Sequence, residues 1–139
     1  MNAIDTNIFA YLFDSSAPAK KALAQKLLAG LVLRPHETVM LWQVASEFLA
    51  CLRKVERKGL LGPEQLKVSF REVLQLFPLK LPSLGGLERA LALHELYSLS
   101  HWDSLLIAAC QESGVTRLYT EDMQHGANYS GVNIVNPFL

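Results

Sequence analysis

Four carboxylates stand where apolar, strand-like runs give way to helical ones: Asp5, Glu47, Asp103 and Asp122. Asp5 closes the run that reaches Ile4, and Thr6 and Asn7 place a hydroxyl and an amide beside it before the apolar stretch Ile8–Phe13. In open α/β sheets ligands collect where strands end and helices begin, so a carboxylate there either holds a cation or caps the helix. The other three are equally two-sided. Glu47 reads as a solvated helix residue or a ligand. Asp103 closes the sequence Ser100-His-Trp-Asp, a capping box in which it would reach back to the Ser100 amide. Asp122, in Thr120-Glu-Asp, also suits a turn. Taken as a set they say more. Four carboxylates sharing one cleft repel, and without a counter-charge at least one must stay protonated. A divalent ion removes that penalty. Oxygen ligands without His or Cys suit Mg2+ or Mn2+ and disfavour Zn2+. One such ion, or two held ~4 Å apart, activates water and steadies the leaving oxygen in phosphodiester cleavage.

The elements that must bring these acids together are legible in outline. A short buried strand ends at Asp5, and a helix starts near Thr6 or Asn7. Pro18 opens a helix through Ala29 with Gly30 as its C′ residue. Leu31–Leu33 is open between strand and helix tail, and Thr38–Leu41 is a second strand. Gln43–Lys58 is a helix closed by Gly59, its apolar Val44, Phe48, Leu52 and Val55 recurring at helical spacing. Pro63–Phe77 is the next helix, Pro78–Pro82 at most a brief edge strand, and Leu87–Leu99 another helix. A helix beginning at Ser100–His101 runs to Glu112 and is ended by Gly114. Arg117–Thr120 is a strand, Glu121–Tyr129 a loop, and Val132–Val135 the last strand. Strands alternating with helices imply a parallel sheet covered on both faces, in an α/β fold.

Composition narrows the class. The 139 residues fit one domain spanning 1–139, half of them hydrophobic and 19% charged. Mean hydropathy is +0.18, yet no apolar run approaches the ~20 residues needed to span a membrane. A secretion signal is not expected, which points to the cytoplasm. Cys51 and Cys110 stand alone in apolar helical contexts and read as buried small hydrophobes of a reducing compartment. With zero formal net charge, any nucleic-acid contact must rest on a local patch.

The segments Ile4-Asp-Thr-Asn-Ile-Phe-Ala-Tyr, Val44-Ala-Ser-Glu-Phe, Trp102-Asp-Ser-Leu-Leu-Ile-Ala-Ala, Leu118-Tyr-Thr-Glu-Asp-Met and Val132-Asn-Ile-Val-Asn-Pro-Phe together resemble PIN-domain ribonucleases, most closely VapC-type toxins of toxin–antitoxin pairs. The resemblance covers essentially the whole chain, in order and spacing. It implies a three-layer α/β/α sandwich around a parallel sheet and the activity of a Mg2+-dependent endoribonuclease, with Mn2+ able to substitute. It makes Asp5, Glu47, Asp103 and Asp122 the catalytic, metal-binding acids, with Thr6, Asn7 and Thr120 as polar support. The implied partners are an RNA substrate, a cognate antitoxin protein of a type II system and a second copy of the chain. One position departs: many relatives carry a further acid where this chain has Gln124, followed by His125, which leaves a second ion short of a ligand. Glu121 is adjacent in sequence but is read as pointing away.

On the helix carrying Glu47, Lys54 and Lys58 return to within about 20° of its direction, and Arg53 and Arg57 form a row beside them. These four residues are the candidate RNA contacts, though a basic helix end also suits the helix dipole. The expected chemistry is in-line attack by metal-activated water, leaving 5′-phosphate and 3′-hydroxyl ends. A receiver-like phosphoacceptor domain is the weaker rival, because Asp5 has no acidic neighbour and Val132–Phe138 holds no lysine. The other rival is a non-catalytic PIN scaffold that binds RNA or a partner.

Overall fold

The computed structural model describes residues 1–139. In chain order, β1 (Asn2–Ile4) leads into α1 (Thr6–Tyr11) and α2 (Pro18–Leu31). A 3-10 turn at Pro35–Glu37 precedes β2 (Thr38–Leu41), followed by α3 (Trp42–Arg57), α4 (Pro63–Leu74) and β3 (Leu79–Lys80). Then come α5 (Leu84–Tyr97), α6 (His101–Glu112), β4 (Arg117–Tyr119), β5 (Asn128–Tyr129) and β6 (Val132–Val135).

The strands form one sheet in the order β3-β2-β1-β4-β6-β5. All neighbours pair in parallel except β5 with β6. Ala3 of β1 lies opposite Val39 on one side and Leu118 on the other. The chain therefore steps outward from β1 through β2 to β3, then returns to the opposite side of β1 with β4. The direction of winding reverses between β1 and β4, and the crevice beyond the carboxyl ends of two such strands is where open α/β sheets bind ligands.

Burial explains the layering. All four residues of β2 are buried, as a strand covered on both faces requires. The helices contact one another chiefly within two groups, α1 to α4 and α5 with α6, giving the α/β/α sandwich. The apolar period of α3 turns Val44, Phe48 and Leu52 inward. Phe48 packs against Phe9, Phe13 and Phe70 at ring-centroid distances of 5.9, 5.8 and 6.3 Å, which ties α3 to α1 and α4. No helix is long and apolar enough to cross a membrane.

Several boundaries differ from expectation. Gly30 lies inside α2, which continues to Leu31, so helix propensity along Leu27–Leu31 overrides a single glycine. Leu33, at 81% exposed, projects beyond the helix end. α4 stops at Leu74 rather than Phe77. α5 begins three residues early at Leu84 and ends at Tyr97, where Ser98 adopts a left-handed φ of 56°. The segment read as loop, Glu121–Tyr129, ends in β5. Its hairpin with β6 turns on Ser130 and Gly131, with φ of 51° and 100°, positive at both central positions as a type I′ turn demands.

Candidate metal and phosphodiester site

Asp5 is the N-cap of α1 and the hub of the site. One carboxylate oxygen accepts from the Thr6 amide at 2.7 Å, and the other accepts from the Thr120 hydroxyl at 2.7 Å. The Asp5 amide meanwhile donates to the Tyr119 carbonyl at 2.9 Å, extending the β1–β4 ladder. Asp5 is thus both cap and candidate ligand; the two readings are compatible.

Its neighbours carry the network to the other acids. The Thr6 hydroxyl donates to Glu47 Oε2 at 2.9 Å. The Asn7 amide donates to Asp122 Oδ2 at 2.9 Å and to Thr120 Oγ1 at 3.5 Å. Thr120 Oγ1 also accepts from the Asp122 amide at 3.1 Å. Asp5, Glu47 and Asp122 are therefore joined through Thr6, Asn7 and Thr120, which lie at the carboxyl ends of β1 and β4 and the start of α1.

Asp103 is not part of this network. Ser100 caps α6 through its hydroxyl, which accepts from the Asp103 amide at 3.2 Å, but the Asp103 carboxylate returns no bond to Ser100. Only half of the expected capping box forms, and the half-buried carboxylate stays free of partners. Its turn of helix is still fastened to the site. Gln43 donates to the Trp102 carbonyl at 3.3 Å and to Glu47 Oε1 at 3.1 Å, stitching the first turns of α3 and α6 together. The only sequence signal for Gln43 is its spacing of four from Glu47, which puts both on one helix face.

Asp5 carries the electrostatic strain. Burial pushes its carboxyl up to about 6 from 3.8; the bonds from Thr120 and Thr6 pull it down, and the charges of Asp122 and Glu47 raise it further. A carboxylate so placed lacks a positive partner. No three His, Cys, Asp or Glu side chains are close enough to form a ready-made cation cage. Glu47 and Asp122 are instead held by Thr6 and Asn7. The donor chemistry nonetheless fits a hard cation. The available groups are oxygens, and Asn7 Oδ1 is a buried acceptor without a hydrogen-bond partner.

Glu121 does point away from the site. It accepts from Lys20 Nζ at 2.8 Å and from the Tyr11 hydroxyl. Burial favours its neutral form, but these bonds and the Lys20 charge outweigh that and leave its carboxyl below the usual range. Lys20 also sits over the rings of Tyr11 and Phe138 at 5.1 and 5.6 Å. This clamp fixes the backbone just before Asp122. His125 is committed elsewhere, its Nδ1 accepting from the Asn136 amide at 3.1 Å.

The family profile of the PIN domain matches residues 3–127. The chain belongs to the PIN-domain family. Solved structures similar in fold to this PIN domain include a toxin–antitoxin complex from Klebsiella pneumoniae, 23% identical over 99% of this chain and 98% of that one, with a TM-score of 0.71. VapC20 of Mycobacterium tuberculosis, described as a Sarcin-Ricin loop cleaving toxin, is 17% identical over 88% and 90%, with a TM-score of 0.66. VapBC2 of Rickettsia felis, bound to a DNA fragment from its promoter, is 14% identical over 96% of each chain, with a TM-score of 0.69. No curated protein sequence matches this PIN domain.

Proposed function

We propose that this PIN domain is a Mg2+- or Mn2+-dependent endoribonuclease and the toxin of a type II toxin–antitoxin pair. The observation that carries the reading is the buried Asp5 carboxyl, raised to about 6 with Glu47 and Asp122 as like-charged neighbours, in the crevice where the sheet reverses direction. Asp5, Glu47, Asp103 and Asp122 would hold the ion. When bound it supplies positive charge against the scissile phosphate and lowers the pKa of water.

The chain's own residues do the rest. Thr6 and Thr120 orient Glu47 and Asp5 through their hydroxyls, and Asn7 sets Asp122. One of these acids would also take the proton of the attacking water. Arg53, Lys54, Arg57 and Lys58 are all exposed along α3, and none forms a salt bridge, so they are free to hold flanking phosphates. Their local patch reconciles RNA binding with zero net charge.

An antitoxin segment would dock on the apolar residues just beyond the end of α2, where Val32 and Leu33 remain uncovered. A second copy would cover the stripe Leu84, Leu87 and Leu91 on α5, which recurs at helical spacing and is more than half exposed. The first of these partners is the kind named in the toxin–antitoxin assemblies whose fold this chain shares.

The test is digestion of RNA with Mg2+ or Mn2+, with and without chelator, beside Asp5→Asn. Cleavage should need the ion and fall at least 100-fold in the variant, a loss on the order expected when a charge-stabilising group is removed. Undiminished cleavage by Asp5→Asn would place the activity elsewhere. Products ending in 2′,3′-cyclic phosphate would refute attack by water. The rival reading, a scaffold that binds RNA without cutting it, draws on the open spacing of the acids and requires binding with no cleavage in either ion.

A further inference from the structure

Exposed tryptophan is unusual on a small domain unless something covers it, and both tryptophans of this chain are exposed: Trp42 at 49% and Trp102 at 63%. They come from different elements, the first residue of α3 and the first turn of α6. They nonetheless line one cavity of about 380 Å³ together with Gln43, Ser46 and Glu47. Glu47 is also part of the acidic network, so the cavity opens directly onto the candidate site. A second groove of about 490 Å³, running between the β3 edge and α5–α6, shares Trp42, Gln43 and Trp102 with it.

The cavity is held open by its polar floor. The Gln43 amide nitrogen bonds both the Trp102 carbonyl and Glu47, fixing the two helix starts relative to each other. His101 stands edge-on to the Trp102 ring at 4.7 Å and braces it. The Gln43 carbonyl oxygen and the Ser46 hydroxyl make no hydrogen bond within the protein, and each is available to the edge of a planar ligand. Two indoles lining an open cavity, beside an amide acceptor and a hydroxyl, form a place for a flat heteroaromatic ring.

We propose that Trp42 and Trp102 flank a slot that receives one unpaired nucleobase of single-stranded RNA beside the cleavage point. This inference rests on the nuclease reading above. The observations favour a base over an apolar protein segment because the cavity reaches Glu47 of the acidic network and carries polar groups that read base edges. Stacking on aromatic faces is tolerant of base identity, so Gln43 and Ser46 would supply preference. Exocyclic amino groups are the natural donors to the Gln43 carbonyl. The slot also restricts the substrate: a base inside a duplex cannot enter it, so cleavage is confined to loops and single strands.

Indole fluorescence tests this directly, since the only two tryptophans both line the slot. The whole protein, kept in chelator so that nothing is cut, is titrated with a short mixed-sequence oligoribonucleotide and with an abasic oligomer of equal length and charge. The base-bearing strand should quench the fluorescence and the abasic strand should not. Trp102→Ala should weaken binding of the base-bearing strand by about 5- to 160-fold, the range of one lost base stack. Trp102→Phe should restore most of that loss and Trp102→Leu should not. Equal quenching by both strands, or unchanged affinity in Trp102→Ala, overturns the slot. So does fluorescence that follows protein concentration instead of RNA while the mass doubles, since the face would then be an interface between copies. Cleavage of the same strand with Mg2+ is scored separately. Quenching without cleavage supports base capture and refutes the nuclease reading, whereas cleavage without quenching refutes the slot alone.

Discussion

Replacing Asp5 by asparagine preserves the side chain's size and the acceptor that caps Thr6, and removes its charge. The native carboxyl titrates near 6 because burial, then the charges of Asp122 and Glu47, outweigh the bonds from Thr120 and Thr6. The native state therefore holds this proton more tightly than the unfolded chain does. The resulting stability is fully present below the unfolded value near 3.8 and is lost as pH rises through 6. Integrating the two titrations gives a loss of about 2.4 kcal/mol between pH 4 and pH 8, of which about 1.4 kcal/mol falls above pH 5. Asparagine does not titrate. It does set an amide opposite the hydroxyl that Thr120 donates, but that cost is the same at every pH. The diagnostic quantity is thus the change in the difference between wild type and variant. Urea unfolding of both proteins in chelator, at pH 5 and pH 8, should show the difference shifting by about 1.4 kcal/mol in the variant's favour at the higher pH. Adding Mg2+ at pH 8 should then stabilise wild type and leave the variant unmoved. Parallel stability curves for the two proteins would refute the assignment of Asp5 as a buried, uncompensated carboxyl.

Three further outcomes follow from the geometry. Thr120→Val removes the hydroxyl that joins Asp5, Asn7 and the Asp122 amide; carboxyl NMR should show Asp5 titrating still higher, and RNA cleavage should fall while the fold's circular dichroism is kept. Phe48→Ala opens a void among Phe9, Phe13 and Phe70 and should cost about 3–5 kcal/mol in urea unfolding. Reversing Lys54 and Lys58 to glutamate should weaken RNA binding and flatten its dependence on salt by about 0.7 log unit per lost phosphate contact, as read by binding at several salt concentrations; an unchanged slope would remove α3 from the RNA path.

The parts of the fold legible in sequence are those with a single dominant cause. The apolar run before Asp5 and the capping residues after it fix β1 and α1, and the periodicity of Val44, Phe48 and Leu52 fixes α3. The start of α5 was hidden because Gly85 and Gly86 look like breakers. In the fold both lie inside α5, and Gly86 is buried beside the end of the Glu112 side chain of α6. Strand β5 was hidden because two residues have no period, and only the hairpin turn at Ser130–Gly131 marks it. At the site, the hydroxyl and amide supports of Asp5 were visible as neighbours of acids. The Gln43 stitch and the clamp of Lys20 on Glu121 were not, because the latter pairs residues 101 apart. The free state of the Asp103 carboxylate was also out of reach, since a capping box and an unpaired acid have the same sequence.

The position of β4 carries a consequence for how the chain is made. This strand is synthesised late but is inserted beside the first one, and Asp122 reaches Asn7 across 115 residues. Until β4 docks, Asp5 lacks the Thr120 hydroxyl and the site has no floor. A chain emerging from the ribosome accordingly has no assembled acidic site until β4 has emerged and docked beside β1, because only that step brings Thr120 and Asp122 to Asp5 and Asn7.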